Sequence, residues 1–342
     1  MSPLLTNGFA AKEIGASLEP ISYVSPTVGE CDVRVAITHC GVCHTDVHAI
    51  DDYFGITNFP FVPGHEVVGF VQEAGREVTG LKEGDRVGIG WQGRACGHCE
   101  WCQSGEEHLC RHIDKMGAWD PYGGFASSIV VDSRFTYGLP PRMSSAKAAP
   151  LMCAGLTAYS ALRPHRASAG KRLAIVGIGG LGHLGIQFAR ALGFEVTAVS
   201  SKPDKEADAL ALGANHFLLA DTASLGAAQF DFDLLLCTAS TGFDWVELID
   251  LVTKNGTFIL ASFPDVAFNS TDFVAHQVSL TGAFLGSPAT MREMLLFAHE
   301  HNIEPVIELM PMSRVNEALG RVKSGKPRYR IVLVNDESDV AS

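Results

Sequence analysis

Four cysteines in one short segment have the spacing of a metal-binding lobe. They fall as Cys96-x2-Cys99-x2-Cys102-x7-Cys110. Four thiolates this close along the chain can surround a single Zn²⁺ tetrahedrally, and such a closed site is structural because it leaves no position for a substrate. A disulfide framework is the alternative, but nine cysteines in a chain of 342 residues favour metal-binding thiols in a reducing compartment.

A second group of candidate ligands is spread over the first half of the chain. Cys43 lies in Gly-Val-Cys-His-Thr-Asp, His65 in Pro-Gly-His-Glu and Cys153 in Leu-Met-Cys-Ala-Gly. Two cysteines and one histidine fill three of the four positions around zinc, and an open fourth position is what a catalytic zinc needs. The sequence therefore predicts two zinc ions per chain, one structural and one catalytic.

Two acidic residues, Asp46 and Glu66, accompany these candidate ligands. A carboxylate bonded to a ligating histidine fixes the tautomer of the ring and raises its basicity. We therefore expect Asp46 and Glu66 to orient the metal ligands through hydrogen bonds without themselves being permanent ligands. Glu66 is also a candidate for transient ligation of the catalytic zinc.

A glycine-rich turn in the second half of the chain has the pattern of a dinucleotide-binding site. It follows an apolar strand-like run, Leu173-Ala-Ile-Val176, and precedes a helical pattern of Leu184, Phe188 and Leu192. Glycines at such a turn let backbone N–H groups at a helix N-terminus approach a pyrophosphate. The predicted phosphate-binding residues are Gly177, Ile178, Gly179, Gly180, Leu181 and Gly182.

The end of the next strand-like run indicates which dinucleotide is bound. NAD sites usually carry Asp or Glu about 20 residues after the glycines, to accept hydrogen bonds from the ribose 2′-OH. Here the run ends in Ser200 and Ser201, with Lys205 close behind, and hydroxyl and ammonium groups suit a 2′-phosphate instead. We therefore expect NADP(H), with Asp204 capping the following helix.

Composition narrows the functional classes. Hydrophobic residues make up 46% of the chain, and the formal net charge is −12. The negative charge disfavours nucleic acid or an anionic membrane as a partner, and no run approaches the roughly 20 apolar residues of a membrane span. The first residues lack the basic and apolar parts of a secretory signal, so we expect a cytoplasmic protein.

Three stretches of the chain differ in their patterns. Residues 1–152 carry short strand-like runs and few helical patterns, which indicates a β-rich domain. Residues 153–286 alternate strands with helices, which predicts a doubly wound parallel sheet of the Rossmann type. Residues 287–342 predict two helices and a last strand that returns to the first domain. The fold class is therefore α/β plus β-rich, and one helix of the second domain is expected to carry Trp245, Leu248, Ile249 and Val252.

Taken together, these motifs resemble those of the zinc-dependent medium-chain alcohol dehydrogenases, most closely the cinnamyl alcohol dehydrogenase branch with its broad-range aldehyde reductases. The resemblance covers nearly the whole chain, and a Cys₂His zinc site is the one known for alcohol dehydrogenases. It implies a GroES-like catalytic domain, 1–152 and 287–342, beside a dinucleotide-binding domain, 153–286. The resemblance rests on Gly-Val-Cys43-His-Thr-Asp-Val-His48, Val-Pro-Gly-His65-Glu66, the four-cysteine lobe, Leu-Met-Cys153-Ala-Gly, the glycine-rich turn and Ser200-Ser201.

The resemblance also implies an activity: hydride transfer between NADP(H) and a broad range of aliphatic or aromatic aldehydes and primary alcohols. Zinc would polarise the carbonyl as a Lewis acid. Thr45 would pass a proton from the cofactor ribose, and His48 would connect this relay to solvent. His44 would neutralise the cofactor pyrophosphate, with Thr157 and Thr238 as further cofactor contacts.

The substrate pocket is the part that the sequence defines least. The resemblance points to apolar residues around the zinc, although plain core packing explains each aromatic equally well. The loop around Trp119 is shorter here than in plant lignin-forming members, which weakens the case for their phenolic specificity. The segment Val278–Leu285 is expected to pair with a second subunit in a homodimer. The candidate lining residues are Phe54, Ile56, Trp91, Trp119, Phe263, Phe284 and Leu285.

Two other functions stay open at this point. Reduction of the C=C bond of enones is chemistry that the same scaffold supports when the relay is altered, and Thr45 and His48 are both present here. A zinc-ribbon protein that binds nucleic acid would need only the four cysteines, but the negative charge and the second set of ligands argue against it.

Overall fold

The computed structural model describes residues 4–115, 121–168, 170–229 and 231–335. Trp119, a predicted pocket residue, lies outside the described residues. The chain divides into two compact units. Unit 1 combines the residues up to Cys153 with Gly286–Glu300 and the part from Glu304 onward, and unit 2 is Ala154–Leu285 with His301–Ile303.

The amino-terminal part of unit 1 consists mainly of strands with three short helices between them. The strands are β1 (Leu5–Ala10), β2 (Glu19–Val24), β3 (Asp32–Val42), β4 (Val67–Ala74), β5 (Arg86–Ile89), β6 (Gln92–Arg94), β7 (Asp114–Lys115), β8 (Ser128–Asp132) and β9 (Thr136–Gly138). The helices are α1 (His44–Ile50), α2 (Glu100–Gln103) and α3 (Ser145–Ala148).

Unit 2 alternates helices and strands, and the chain then returns to unit 1. The strands of unit 2 are β10 (Arg172–Val176), β11 (Glu195–Ser200), β12 (His216–Leu219), β13 (Phe232–Cys237), β14 (Val252–Leu260) and β15 (Ser279–Gly282). Its helices are α4 (Ala154–Leu162), α5 (Gly182–Ala191), α6 (Glu206–Ala211), α7 (Thr222–Ala227), α8 (Trp245–Ile249) and α9 (Ser270–His276). The returning segment forms α10 (Pro288–Glu300), β16 (Ile307–Pro311), α11 (Val315–Lys323) and β17 (Arg330–Val334).

The main sheet of unit 1 is built around β3. Its strand order is β16-β17-β3-β4-β5-β9, and β8 also pairs with β3. Because β3 has neighbours along both edges and is covered on both faces, Val33, Val35 and Ile37 are fully buried in it. The last strand, β17, pairs antiparallel with the end of β3, which confirms the expected return to the first domain.

The sheet of unit 2 is parallel throughout and confirms the doubly wound prediction. Its order is β12-β11-β10-β13-β14-β15, and Leu173, Ala174, Ile175 and Val176 of β10 are fully buried. The order reverses between β10 and β13, and the carboxyl ends of the strands at such a switch point form the crevice in which dinucleotides bind. The glycine-rich turn follows β10 at this point.

Two local expectations prove wrong. Helix α8 ends at Ile249, and Val252 starts β14, where it pairs with Phe232 of β13 instead of facing a helix neighbour. The apolar spacing continued across the turn because both elements bury side chains in the same core. Asp204 lies in a 3₁₀ turn, Pro203–Lys205, and Lys205 occupies the N-cap of α6, so Asp204 is not the helix cap.

Within the described residues, every helix is too short or too polar to cross a bilayer.

Candidate active site and metal centres

The junction between β3 and α1 presents the first ligand of the dispersed group. β3 ends at Val42, and Cys43 is the N-cap of α1. Asp46, at the third helical position, accepts a hydrogen bond from the Cys43 backbone N–H at 2.8 Å, so the start of the helix is held by a carboxylate. This capping fixes the backbone from which the Cys43 thiol projects.

The structure brings the predicted catalytic ligands together from three separate segments. Cys43, His65, Glu66 and Cys153 each offer one ligand atom, and these atoms all lie within 4.8 Å of one another. His65 and Glu66 precede β4, and Cys153 follows the 3₁₀ helix Ala149–Met152. This group of four, here called the dispersed cluster, lies in unit 1.

Hydrogen bonding leaves one ring nitrogen of His65 aimed at the cluster. The other nitrogen, Nδ1, lies 2.9 Å from Asp46 Oδ1, which also accepts from the Gly64 N–H at 3.1 Å. Nε2 is buried and has no hydrogen-bond partner within the described part of the chain. A buried polar atom without a partner is costly, and a metal between Nε2 and the two thiols would complete its bonding. Cys43, His65 and Cys153 therefore fit a zinc ion.

Glu66 takes part in a buried ion pair that the sequence analysis missed. Glu66 is 0% exposed and Arg330 only 7%, and Glu66 Oε1 accepts from Arg330 Nη2. Burial raises the pKa of Glu66 to about 7, even though Arg330 acts in the opposite direction. Any side chain at Gly41 would overlap the Glu66 carboxylate, so glycine is required there. The signal in the sequence was an arginine opening the apolar run of the last strand.

The two thiols of the dispersed cluster differ in acidity before any metal binds. The hydrogen bond from Cys153, together with His65, holds the pKa of Cys43 well below its usual value. The same contact and burial raise the pKa of Cys153 well above it. Since zinc binds thiolates, loading of this site requires the proton of Cys153 to leave.

The predicted proton relay lies along α1. Thr45 is half-buried, and its Oγ1 is 3.6 Å from Cys43 Sγ. His48 contacts the His44 ring edge to face at 4.9 Å and stacks on Tyr53 at 4.6 Å. Burial and His44 lower the pKa of His48, so its ring is neutral at neutral pH and able to accept a proton. The sequence analysis did not identify Tyr53.

The four-cysteine lobe has the sulfur geometry of a closed zinc site. The Cys99–Cys102 and Cys96–Cys110 sulfurs are both 3.6 Å apart, and the Cys96–Cys102 sulfurs 3.9 Å. Sulfurs placed tetrahedrally at the usual Zn–S length of about 2.3 Å are about 3.8 Å apart. Backbone N–H groups of Cys96 and His112 point at Cys110 Sγ at 3.5 and 3.3 Å and stabilise a thiolate there.

In unit 2, the glycine-rich turn leaves its backbone open to a ligand. Gly177 has φ +89°, and its carbonyl accepts from Thr238 Oγ1 at 2.7 Å. A side chain at Gly182 would overlap that carbonyl, whereas nothing lies within 4 Å of a Cβ placed on Gly179. The turn is thus tight on its inner side and open at Gly179, three residues before α5 begins to present its N–H groups.

The predicted 2′-phosphate residues differ in how they are placed. Ser200 is buried, and its Oγ accepts from the Lys202 N–H at 3.1 Å. Ser201 is exposed, and Lys205 is half-buried at the N-cap of α6. Ser201 and Lys205 are therefore better placed than Ser200 to meet a phosphate. Thr157 is half-buried in α4.

The remaining pocket candidates are divided between the two units. In unit 1, Phe54 is half-buried with its ring 5.9 Å from His48, Ile56 is exposed and Trp91 is buried. In unit 2, Phe263 and Phe284 are exposed and Leu285 is buried. Phe54 is thereby placed beside a predicted relay residue, and the pocket role of all these residues stays a prediction.

Comparison with known proteins agrees with this geometry. Residues 29–141 match the alcohol dehydrogenase GroES-like domain family, and residues 180–300 match the zinc-binding dehydrogenase family. An aldehyde reductase from Synechocystis is 35% identical over 337 residues, which cover 98% of this chain and 100% of the relative.

Two solved structures show the same likeness in three dimensions. A cinnamyl alcohol dehydrogenase from Sorghum bicolor superposes with a TM-score of 0.91 at 35% identity, over 99% of this chain and 98% of that one. CAD from Helicobacter pylori, complexed with NADP(H), gives a TM-score of 0.89 at 29% identity and covers 99% of each chain.

Proposed function

Because the chain belongs to the zinc-dependent medium-chain alcohol dehydrogenases, in the cinnamyl alcohol dehydrogenase branch, we propose that it interconverts aldehydes and primary alcohols with NADP(H). The observation that carries this proposal is the dispersed cluster, in which a buried His65 Nε2 that has no hydrogen-bond partner among the described residues faces two thiols and a carboxylate. The aldehyde reductase and cinnamyl alcohol dehydrogenase relatives support the same reaction class.

Cys43, His65 and Cys153 would hold a catalytic zinc, and Cys96, Cys99, Cys102 and Cys110 a structural one. When bound, the catalytic zinc supplies Lewis acidity toward the substrate oxygen. Asp46 keeps the His65 ring in the tautomer that offers Nε2. Glu66 places a carboxylate at the cluster, and Arg330 holds it there while balancing its charge.

Thr45 and His48 would move the proton that the reaction requires. A hydroxyl both donates and accepts, so Thr45 can exchange a proton with the reacting oxygen on one side and the cofactor ribose on the other. The neutral ring of His48 then takes up or returns the proton toward solvent.

The glycine-rich turn would bind the pyrophosphate of the dinucleotide, which carries the hydride. Ser201 and Lys205 offer a hydroxyl and a cation at the end of β11, where no carboxylate stands to bind the ribose 2′-OH. The relative complexed with NADP(H) supports the same choice. His44 would face the pyrophosphate, and Thr157 and Thr238 would complete the cofactor contacts.

Three further features belong to this proposal: substrate range, oligomeric state and location. The apolar candidates favour a broad range of aldehydes, because a methylene changes binding in an apolar pocket by only about 1–3 kcal/mol. A homodimer through β15 is supported by its position at the sheet edge, with all four residues exposed. A cytoplasmic location is supported by the cysteine usage.

The direct test is a panel of aldehydes, alcohols and enones assayed with NADPH and NADH, before and after removal of metal by chelation. We expect aldehyde reduction with NADPH, loss of activity on chelation and recovery with Zn²⁺. A lower KM for NADH at equal kcat would refute the cofactor assignment. Unimpaired turnover by metal-free protein would refute the zinc mechanism, and preferred reduction of the enone C=C bond would replace the proposed reaction.

The relay is tested separately by Thr45→Ala, with Thr45→Ser as the matched control because it keeps the hydroxyl. Loss of a group that transfers a proton costs about 10²- to 10⁴-fold in rate. We expect Thr45→Ala to lose at least a hundredfold in kcat with zinc content unchanged, and Thr45→Ser to retain most activity. An alanine variant near wild type would remove Thr45 from the mechanism.

A further inference from the structure

We propose that Arg134 is a positioning residue that fastens the four-cysteine lobe, residues 95–112, to the sheet of unit 1 and so determines how firmly the lobe retains its metal. This inference rests on the structural zinc of the proposed function. Arg134 follows β8 in a 3₁₀ turn, Ser133–Phe135, outside the lobe and outside the sequence motifs.

The guanidinium of Arg134 is held by a buried carboxylate. Asp132, the last residue of β8, is 2% exposed, and its backbone pairs with Asp32 of β3. Arg134 Nε lies 3.0 and 3.1 Å from the two carboxylate oxygens, and Nη2 lies 2.6 Å from Oδ2. Asp132 Oδ1 also accepts the Arg134 backbone N–H at 2.9 Å, so both backbone and side chain of Arg134 are fixed to the sheet.

The free edge of the same guanidinium contacts the lobe on both sides of Cys96. Nη2 donates to the carbonyl of Ala95 at 3.2 Å. Nη1 lies 3.2 Å from the position that a Cβ of Gly97 would take, so it packs directly against that glycine. One side chain thus links a rigid strand to the backbone on both sides of Cys96.

Inside the lobe, which lies within the described residues, the only regular structure is the four-residue helix α2 and a 3₁₀ turn, Glu107–Leu109. The β6–β7 pair closes its base, and Gln92 Nε2 donates to the Glu107 carbonyl at 2.7 Å, so Arg134 is the anchor that reaches the backbone beside Cys96. Metal loss begins when one sulfur moves away, and a tether beside Cys96 opposes that movement. Groups that orient metal ligands typically change metal affinity about 10- to 100-fold. The planar guanidinium suits this role because its separate N–H donors reach the carboxylate of Asp132 and the carbonyl of Ala95 at once. The single ammonium of lysine cannot bridge both acceptors with the same geometry.

The test is the rate at which full-length, zinc-loaded protein releases metal to an excess of chromogenic chelator. Two release phases are expected, and Cys153→Ser identifies the phase of the dispersed cluster. Arg134→Gln should accelerate the lobe phase at least tenfold and leave the other phase unchanged. The lobe phase of Arg134→Lys should have a rate between those of the wild type and Arg134→Gln. The matched control is Arg111→Gln, which removes a lobe cation that is 77% exposed and pairs with exposed Glu100 at 3.6 Å.

Arg111→Gln should change the lobe phase less than twofold. Equal acceleration by Arg111→Gln and Arg134→Gln would show that charge alone matters, and equal acceleration of both phases would indicate general destabilisation. Either result, or a lobe phase unchanged in Arg134→Gln, overturns the inference. If the glutamine variant does not fold, Arg134→Lys decides by the same criteria. Protein without dehydrogenase activity but with an Arg134-dependent lobe phase would contradict the proposed function and leave this inference standing.

Discussion

Unit 1 contains two groups of thiols that each fit a metal ion. They differ in where along the chain the ligands come from and in which groups support them. The lobe draws its four sulfurs from residues 96–110, and backbone N–H groups support them. The dispersed cluster draws its ligands from segments around residues 43, 65 and 153, and buried side chains of Asp46 and Arg330 support it. All four ligand atoms of the lobe are sulfur, whereas those of the dispersed cluster are sulfur, nitrogen and oxygen.

This contrast supports the proposed assignment of a structural metal to the lobe and a catalytic metal to the dispersed cluster. A metal in the lobe would be saturated by four equal ligands contributed by one short loop. In the dispersed cluster, the fourth atom belongs to Glu66, whose second oxygen is bonded to Arg330. A metal there would have three firm ligands and one position that a carboxylate and a substrate oxygen could share. We expect substitutions in the first group to affect mainly stability, and in the second mainly activity.

The largest expected effect comes from replacing one cysteine in each group. Cys153→Ser should reduce bound zinc from two ions to one per chain and lower kcat/KM at least about a thousandfold, since Lewis acidity contributes several kcal/mol. Cys99→Ser should release the lobe metal and lower the free energy of unfolding by more than about 4 kcal/mol, while folded molecules stay active. Elemental analysis, steady-state kinetics and urea unfolding measure these effects.

The comparison fails if the two serine variants behave alike. Cys99→Ser chains that are folded but inactive would assign the lobe a part in the chemistry. Cys153→Ser chains that unfold as readily as Cys99→Ser would assign the dispersed cluster a structural role.

The second prediction concerns the ion pairs beside the two groups. Arg330→Met leaves the Glu66 carboxylate buried without its partner, which typically costs about 3–5 kcal/mol in the free energy of unfolding. Loss of the exposed Arg111–Glu100 pair at the lobe should cost less than about 1 kcal/mol. The double variant Arg330→Met, Glu66→Gln should recover much of the loss, because no buried charge is left alone. Urea unfolding of zinc-loaded chains that showed equal losses at both pairs would contradict this difference.

The third prediction separates ligand support in the two groups. Asp46→Asn removes the carboxylate that accepts from His65, Cys43 and Gly64, and should weaken zinc binding at the dispersed cluster about 10- to 100-fold. The lobe affinity should not change. Asp51→Asn is the matched control, since Asp51 ends the same helix and pairs with Lys323 at the surface. Competition with a chelator measures both affinities, and weakening at both sites would show a general effect on folding.

The same contrast shows how far the sequence predicts this molecule. The lobe was predictable because its ligands are neighbours in the chain and their spacing reflects their geometry. The parallel sheet and glycine-rich turn were predictable for a similar reason, since local period and turn chemistry specify them. Cys43, His65 and Cys153 could be grouped only by ligand type and by resemblance, because no spacing connects ligands that tertiary folding brings together.

Arg330 and Tyr53 illustrate what the sequence could not predict. Arg330 precedes an ordinary apolar strand, and its partner Glu66 is 264 positions away. Tyr53 is one aromatic residue among several after α1, and only the fold stacks it on His48. Val252 was assigned to the wrong element because a helix and the strand after it bury residues in one core. For Arg330 and Val252 the deciding contact is distant in sequence, whereas Tyr53 meets His48 only five positions back, in the turn that follows α1.

The smallest expected effect concerns the histidines beside the two groups. In the proposed relay, alcohol oxidation needs a neutral His48 to accept the proton. Burial and His44 lower the pKa of His48 from its usual value of 6.5, while Cys43 and Asp51 act in the opposite direction. A lowered pKa keeps the imidazole neutral until the pH falls further, so the acid limb of kcat against pH should lie below 6.5.

His44→Gln removes the neighbour that lowers this pKa, so the acid limb should move upward by less than about one pH unit at saturating cofactor. His98→Gln is the control from the lobe, since His98 is exposed and bonds the Cys96 carbonyl. His98→Gln should leave the acid limb of kcat in place, whereas His48→Gln should abolish the acid limb. An acid limb that persists in His48→Gln would place the titrating group elsewhere. A shift of the acid limb in His98→Gln would show that the lobe also affects the proton-transfer step.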